Sequence, residues 1–208
     1  MRKKIALLTA GPTREYLDPV RYLSNASSGR MGFALARELK SLGFRVSMVL
    51  GPGIDPPPGI AWVRVVSARQ MLQEVSRHFP RCDVFISCAA VSDFRPASPS
   101  RKKIHRREKS LAVRLVPNPD ILREMGRRKK KQICVGFALE DRMDARRAFA
   151  KMRAKNCDLM VLNSVDSIES GRISATLLFK DQRAQKLGKI SKTACAKMIC
   201  RAILKSRA

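Results

Sequence analysis

Apolar residues recur along the chain with two alternating periods. Short runs rich in β-branched and other apolar side chains stand at 5–8, 46–50, 63–66, 84–86, 133–135 and 159–162, and their continuous apolar character predicts strands buried on both faces. Between them the period lengthens to that of a helix. Residues 32–42 place Phe33, Leu35, Ala36 and Leu39 on one face, 68–78 gather Met71, Leu72 and Val75, and 145–155 carry Ala148, Phe149 and Met152. Strand and helix in alternation predict an α/β fold of the Rossmann-like, doubly wound kind, a mostly parallel sheet wrapped by crossover helices. Ligands of such folds lie beyond the carboxyl ends of the strands. The pattern changes after residue 172: a run at 173–179, a polar turn, a second run at 185–190 and a helical stretch from 191 to about 205 predict a β-hairpin appendix and a closing helix.

Two connections are too long for strand-to-helix loops, which usually run about 2–6 residues. They cover 9–28 and 92–118, the second ahead of a helix expected to open at Pro119 with Asp120 in its first turn. Loops of this size carry function or a small substructure. No repeat, linker or second domain interrupts the rest, so residues 1–208 read as one domain with a flap insertion at about 95–118 and the hairpin at about 172–190.

Composition narrows the function. No stretch approaches the roughly 18 apolar residues of a membrane helix, and the basic amino end runs straight into a strand rather than a signal-peptide core. The six cysteines form no Cys-x-x-Cys pair and sit mostly in apolar runs, as buried reduced thiols do; a cytoplasmic location is expected. Two histidines, His78 and His105, are too few for a His-rich metal site or a His-based nucleophile triad. The chain carries 43 Lys+Arg against 17 Asp+Glu, a net charge of +26. Basic runs at 101–107 and 127–131 keep nucleic acid in view, but the second falls at an expected helix end, and the phenylalanines occupy core positions rather than stacking platforms. A basic chain equally suits small phosphorylated substrates.

Residues 25–32, Asn-Ala-Ser-Ser-Gly-Arg-Met-Gly, end the first long loop where a helix begins, a place whose open N–H groups favour an anion. The same grammar describes an ordinary Ser N-cap. It is not a dinucleotide fingerprint, since no Gly-x-Gly-x-x-Gly follows the first strand. Small residues at Ser87, Cys88, Ala89 and Ala90 would let a flat ligand approach the backbone, and Asp93 could accept from a ribose or base, or simply form a turn.

Taken in order, these pieces resemble the phosphopantothenoylcysteine synthetase family, and the resemblance covers nearly the whole chain. Its carriers are Thr-Ala-Gly-Pro-Thr-Arg-Glu at 9–15 with Asp-Pro-Val-Arg at 18–21, the segment 25–32, Ala-Ala-Val-Ser-Asp at 89–93, Asn-Pro-Asp-Ile at 118–121, Gly-Phe-Ala at 136–138 and Lys-Asn-Cys-Asp-Leu at 155–159.

The resemblance implies a ligase of coenzyme A biosynthesis. The carboxylate of phosphopantothenate would attack CTP to give an acyl-cytidylate and pyrophosphate, and the amine of L-cysteine would then displace CMP, with Mg²⁺ sharing the triphosphate charge. It assigns Asn25 to the reacting carboxylate or acyl-cytidylate, matches Arg21 to the catalytic arginine just before it, and assigns Lys103, the first lysine of a Lys-x-Lys-Lys flap, to the α-phosphate. Ser27, Ser28, Gly29 and Ala90 are expected to hold substrate and its phosphate. Ser87, Cys88, Ala89, Asp93, Lys103, Pro119, Asp120, Ile121, Leu122, Phe137, Lys151 and Lys155 are expected to hold nucleotide. A homodimer built partly on the C-terminal hairpin follows from the family, as does a separate decarboxylase acting as pathway partner. Three departures stand out: His105 and Arg106 replace the later flap lysines, Arg30 replaces a helix-start lysine, and Glu-Ser-Gly-Arg at 169–172 replaces an asparagine-containing segment. The rival reading is a basic nucleotide- or nucleic-acid-binding protein on a ligase-like fold without turnover.

Overall fold

A computed structural model describes residues 2–53, 55–106, 110–168 and 170–206. Arg107 of the first basic run and Glu169 of the departing segment lie outside the described residues.

The expected alternation is present. Six strands, β1 (Ile5–Ala10), β4 (Arg45–Leu50), β5 (Ala61–Arg64), β6 (Val84–Ser87), β9 (Ile133–Glu140) and β10 (Leu159–Ser164), run parallel. Two more, β11 (Arg172–Phe179) and β12 (Ala184–Ser191), complete an eight-stranded sheet in the order β12-β11-β10-β9-β6-β1-β4-β5. The hairpin is therefore no appendix: β11 pairs antiparallel with β10, Leu159 facing Phe179, and extends the main sheet.

Helices α1 (Arg30–Ser41) and α5 (Lys192–Lys205) cover one face, and α2 (Ala68–His78), α3 (Ile121–Arg128) and α4 (Ala145–Ala154) the other. Strand side chains alternate between these layers as the pleat demands. Ala6, Leu8 and Ala10 of β1 meet Leu35 and Leu39 of α1 in one core, while Leu7 joins Phe85, Met71 and Val75 in the other. All of these are buried.

The chain leaves β1 toward β4 and β5, then returns to β6 on the opposite side of β1 and continues outward to β9 and β10. Connections thus diverge between β1 and β6, which opens a crevice beyond their carboxyl ends. Both long loops fill that edge. The first folds into a hairpin of β2 (Arg14–Tyr16) and β3 (Tyr22–Ser24), the second into a pair of β7 (Phe94–Pro96) and β8 (Leu115–Pro117).

Element boundaries moved for identifiable reasons. The strand expected at 63–66 is Ala61–Arg64, because the Val66 and Ser67 N–H groups donate to the Gln70 side chain in the capping box of α2. The helix expected to open at Pro119 begins at Ile121: Asp120 is its N-cap, accepting from the Arg123 N–H at 3.0 Å, and Pro119 stands outside. The strand read at 133–135 continues to Glu140, since β10 pairs with it as far as Ser164.

Candidate active site

The site is assembled by the first loop gripping the end of β6. Thr9 is fully buried, and its hydroxyl accepts the N–H groups of Cys88 and Ala89, both at 3.1 Å. Gly11 accepts from the Ala90 N–H at 2.9 Å, and the Thr13 hydroxyl accepts from the Ser92 N–H at 3.1 Å. A turn at Gly11, with φ of 80°, permits this reversal. Gly51 keeps the loop close: a Cβ there would lie 1.6 Å from the Pro12 carbonyl oxygen. From the far side the Asn118 side chain donates to the Ser92 carbonyl at 2.8 Å, and its N–H donates to the Asp93 carbonyl at 2.8 Å. The motifs at 9–13, 89–93 and 118–121 are thus one latch.

Opposite this wall α1 begins. Its N-cap is Gly29, left-handed at φ 66°, with no side-chain capping bond, so the Ser N-cap alternative is set aside. The first-turn N–H groups of α1 therefore face the crevice without a capping side chain, at the positive end of the helix dipole. Gly32 lets the helix start this low on the sheet, because a Cβ there would sit 2.5 Å from that of Ala10. The wall and helix start enclose a cleft of about 630 Å³.

Asn25, Ser27, Ser28, Gly29, Cys88, Ala89, Ala90, Asp93 and Phe137 all line this cleft. Asn25 is anchored through one amide N–H, which donates to the Val91 carbonyl at 3.0 Å. Its second N–H has no hydrogen-bond partner among the described residues. Burial, with Cys195 nearby and Lys192 opposing, pushes the Cys88 thiol up to about 12, so it stays protonated. Those nine residues are brought together as expected; the other expected residues lie elsewhere.

Arg21 and Lys103 form a second group on the rim. Asp18, buried at 1% exposure, accepts the N–H groups of Val20 at 2.8 Å, Arg21 at 2.7 Å and Ile104 at 3.1 Å, and the Arg21 guanidinium at 3.1 Å. Arg21 also donates to the Ile104 carbonyl at 3.0 Å. The exposed Lys103 is therefore carried beside Arg21 by its neighbour Ile104, not placed inside the cleft. Burial works to raise the Asp18 carboxyl, and the N–H groups of Ile104, Val20 and Arg21 with the Arg21 charge outweigh it, holding it below its ordinary 3.8.

The remaining nucleotide-side expectations gather on the α3 and α4 side of the sheet. Asp120 pairs with Lys155 at 3.0 Å, and Glu140 at the end of β9 receives both Lys151 and Arg147. Lys151 and Lys155, both expected to hold nucleotide, are thus each paired with a carboxylate. Ile121 and Leu122 are buried in the core. Leu122 packs over Gly136, where a Cβ would come within 2.6 Å of its side chain. Ser87 ends β6, and Pro119 lies between β8 and the Asp120 N-cap of α3; neither lines the cleft.

Sequence reasoning did not assign Lys192, Asn163, Ser167 and Ile173, which also line the cleft. They come from β10, the short turn that follows it, β11 and α5, brought in by sheet order alone, and no local pattern marks them. Arg30 and Met31 lie in a segment that was singled out.

Fold and site together define a doubly wound α/β protein whose strand-end crevice faces the open amino end of a helix. Residues 1–206 match the model of the DNA/pantothenate metabolism flavoprotein C-terminal domain. The chain is 40% identical over 195 residues to the coenzyme A biosynthesis bifunctional protein CoaBC of Bacillus subtilis, covering 91% of this chain and 48% of that protein. It is 44% identical over 167 residues to a cysteine/cysteine sulfinic acid decarboxylase from an unknown prokaryotic organism, covering 79% and 46%. The crystal structure of the C-terminal domain of a CoaBC superposes with a TM-score of 0.84 at 36% identity, covering 98% of this chain and 95% of that one.

The chain therefore belongs to the DNA/pantothenate metabolism flavoprotein C-terminal domain family, the phosphopantothenoylcysteine synthetase family its motifs resemble. It spans about half the length of the curated relatives it matches.

Proposed function

We propose that this chain is a CTP-dependent phosphopantothenate–cysteine ligase. The observation that carries the reading is that family motifs scattered from Asn25 to Phe137 converge on one cleft at the β1/β6 switch point. A carboxylate becomes a useful electrophile only after gaining a good leaving group. In the first step the phosphopantothenate carboxylate attacks the α-phosphorus of CTP, forming the acyl-cytidylate and displacing pyrophosphate. In the second the cysteine amine attacks the acyl carbon, CMP departs and an amide forms.

Both transition states accumulate negative charge, and the residues present answer it with fixed donors and cations. The free N–H of Asn25 faces the acyl oxygens, while the open first turn of α1 meets the phosphomonoester at the other end of phosphopantothenate. Lys103, delivered with the flap, meets the α-phosphate and helps exclude water from a hydrolysable anhydride. The nucleotide lies along Cys88, Ala89 and Asp93 toward Phe137, with Lys151 and Lys155 exchanging their carboxylate partners for phosphates.

Among the described residues no group of three or more His, Cys, Asp or Glu converges, and the cleft lining holds one carboxylate, Asp93. This donor set fits Mg²⁺ as an ion carried by the triphosphate and water, with Asp93 at most a single ligand. When bound there, Mg²⁺ would neutralise triphosphate charge. The active unit in this reading is a homodimer that includes the β11–β12 hairpin in its interface.

The half-reactions test the assignment. Asn25→Asp removes the anchored amide and places a carboxylate beside the acyl group; acyl-cytidylate should still form while its conversion to amide slows. Lys103→Gln should instead impair pyrophosphate release. Equal loss of both steps in Asn25→Asp, or normal cytidylate formation by Lys103→Gln, would refute the split of roles.

A further inference from the structure

Helices α1 and α5 enter the same layer in the same direction. Helix α1 follows β1, and α5 follows β12, which the two antiparallel pairings return to the direction of the parallel strands. Both amino ends therefore open at the carboxyl edge of the sheet, and the first residue of each helix, Arg30 and Lys192, lines the cleft. A cation at a helix amino end sits at the unfavourable end of the dipole. Here two such cations share one cleft, and neither helix has an acidic residue in its first turn.

Lys192 is half-buried, and no ion pair or side-chain hydrogen bond engages its ammonium among the described residues. Burial and the neighbouring Arg30 hold it below its ordinary 10.5, against a smaller opposing effect of Cys88. The Cys88 thiol is protonated and supplies no counter-charge. The two amino ends also differ: Ser191 caps α5 by accepting from the Ala194 N–H at 3.1 Å, whereas α1 has no capping side chain. An anion seated on α1 would meet Lys192 arriving from α5.

We infer that Lys192 is a specificity-determining residue: its ammonium, opposite the first turn of α1 and Arg30, binds the phosphomonoester dianion of phosphopantothenate and selects it over unphosphorylated pantothenate. A dianion offsets the Lys192 ammonium and the open amino end of α1, which a neutral hydroxyl does not. The inference rests on the ligase reading above.

Lys192→Met and Lys192→Arg test it, with melting temperature as the control for folding. Steady-state kinetics with phosphopantothenate and with pantothenate would be compared, alongside calorimetric binding of phosphopantothenate. Lys192→Met should raise KM and Kd for phosphopantothenate by about 10- to 100-fold, the effect of one charge-assisted hydrogen bond. Its kcat and its KM for CTP should stay within about threefold, the pattern of lost substrate binding rather than lost chemistry. Lys192→Arg should recover most of the affinity, and pantothenate should be used equally poorly by variant and wild type. An unchanged KM for phosphopantothenate, an equal loss with pantothenate, or a raised KM for CTP overturns the assignment. Wild-type protein that neither turns over nor binds phosphopantothenate overturns the ligase reading itself, and the inference with it.

Discussion

Replacing Thr9 by Val isolates the latch that shapes the cleft. Valine keeps the volume and branching that suit β1 and removes only the hydroxyl that accepts the N–H groups of Cys88 and Ala89. Each donor loses a partner in a setting that water only half reaches, which places the cost near the lower end of the usual 1–3 kcal/mol per group, about 2–3 kcal/mol in all. For a chain of this size that corresponds to a melting temperature lower by about 5–10 °C. Thr9→Ser is the comparison, since it keeps the acceptor and gives up one buried methyl, about 1 kcal/mol. Thermal and urea unfolding should therefore rank wild type, then Thr9→Ser, then Thr9→Val. The Val variant should also bind substrate more weakly, because Cys88, Ala89 and Ala90 form one wall of the cleft. Thr9→Val as stable as Thr9→Ser would show that the hydroxyl does not hold the strand end, and the account of the latch would fail.

Other consequences follow from the same geometry. Gly51→Ala drives a Cβ into the Pro12 carbonyl oxygen, and as neither backbone can yield freely, denaturant unfolding should show a loss of roughly 3 kcal/mol or more; a loss below about 1 kcal/mol would mean the loop does not pack there. Asp18 ties the flap to the β2–β3 hairpin in its ionised form. Its pKa is depressed on folding, so its contribution is complete above 3.8 and is lost as pH falls through the lower folded value. Trypsin at neutral pH should accordingly cleave Asp18→Asn faster than wild type at Arg101, Lys102 or Lys103, and equal cleavage would separate Asp18 from flap placement.

Much of the layering was readable because it depends on local period. Ala68–His78 was legible to the residue, since Met71 and Val75 mark one buried face and Ser67 with Gln70 closes the capping box. Boundaries moved where a side chain competed for backbone groups, as Gln70 did at Val66 and Asp120 did at the start of α3. The hairpin's place in the sheet was not legible, because alternating residues at 173–190 fit a free hairpin and an antiparallel sheet extension equally well. The site divided along the same line. Asn25, Ser27, Ser28 and Gly29 lie in one contiguous segment and could be found from it. Lys192 sits 162 positions from Arg30 and meets it only because α5 crosses the sheet to pack beside α1. Asp18 belonged to a recognised motif, yet its function as the tether of Ile104 depends on a contact between two loops that no sequence period encodes.

Pyrophosphate release by the purified protein tests the ligase assignment. With Mg²⁺ and phosphopantothenate present, CTP and ATP would be compared, each with and without L-cysteine. Release confined to CTP, with CMP and the amide appearing once cysteine is added, is the predicted result. No release with either nucleotide, from protein shown to be folded and dimeric, would contradict it and leave a nucleotide- or nucleic-acid-binding protein on a ligase fold.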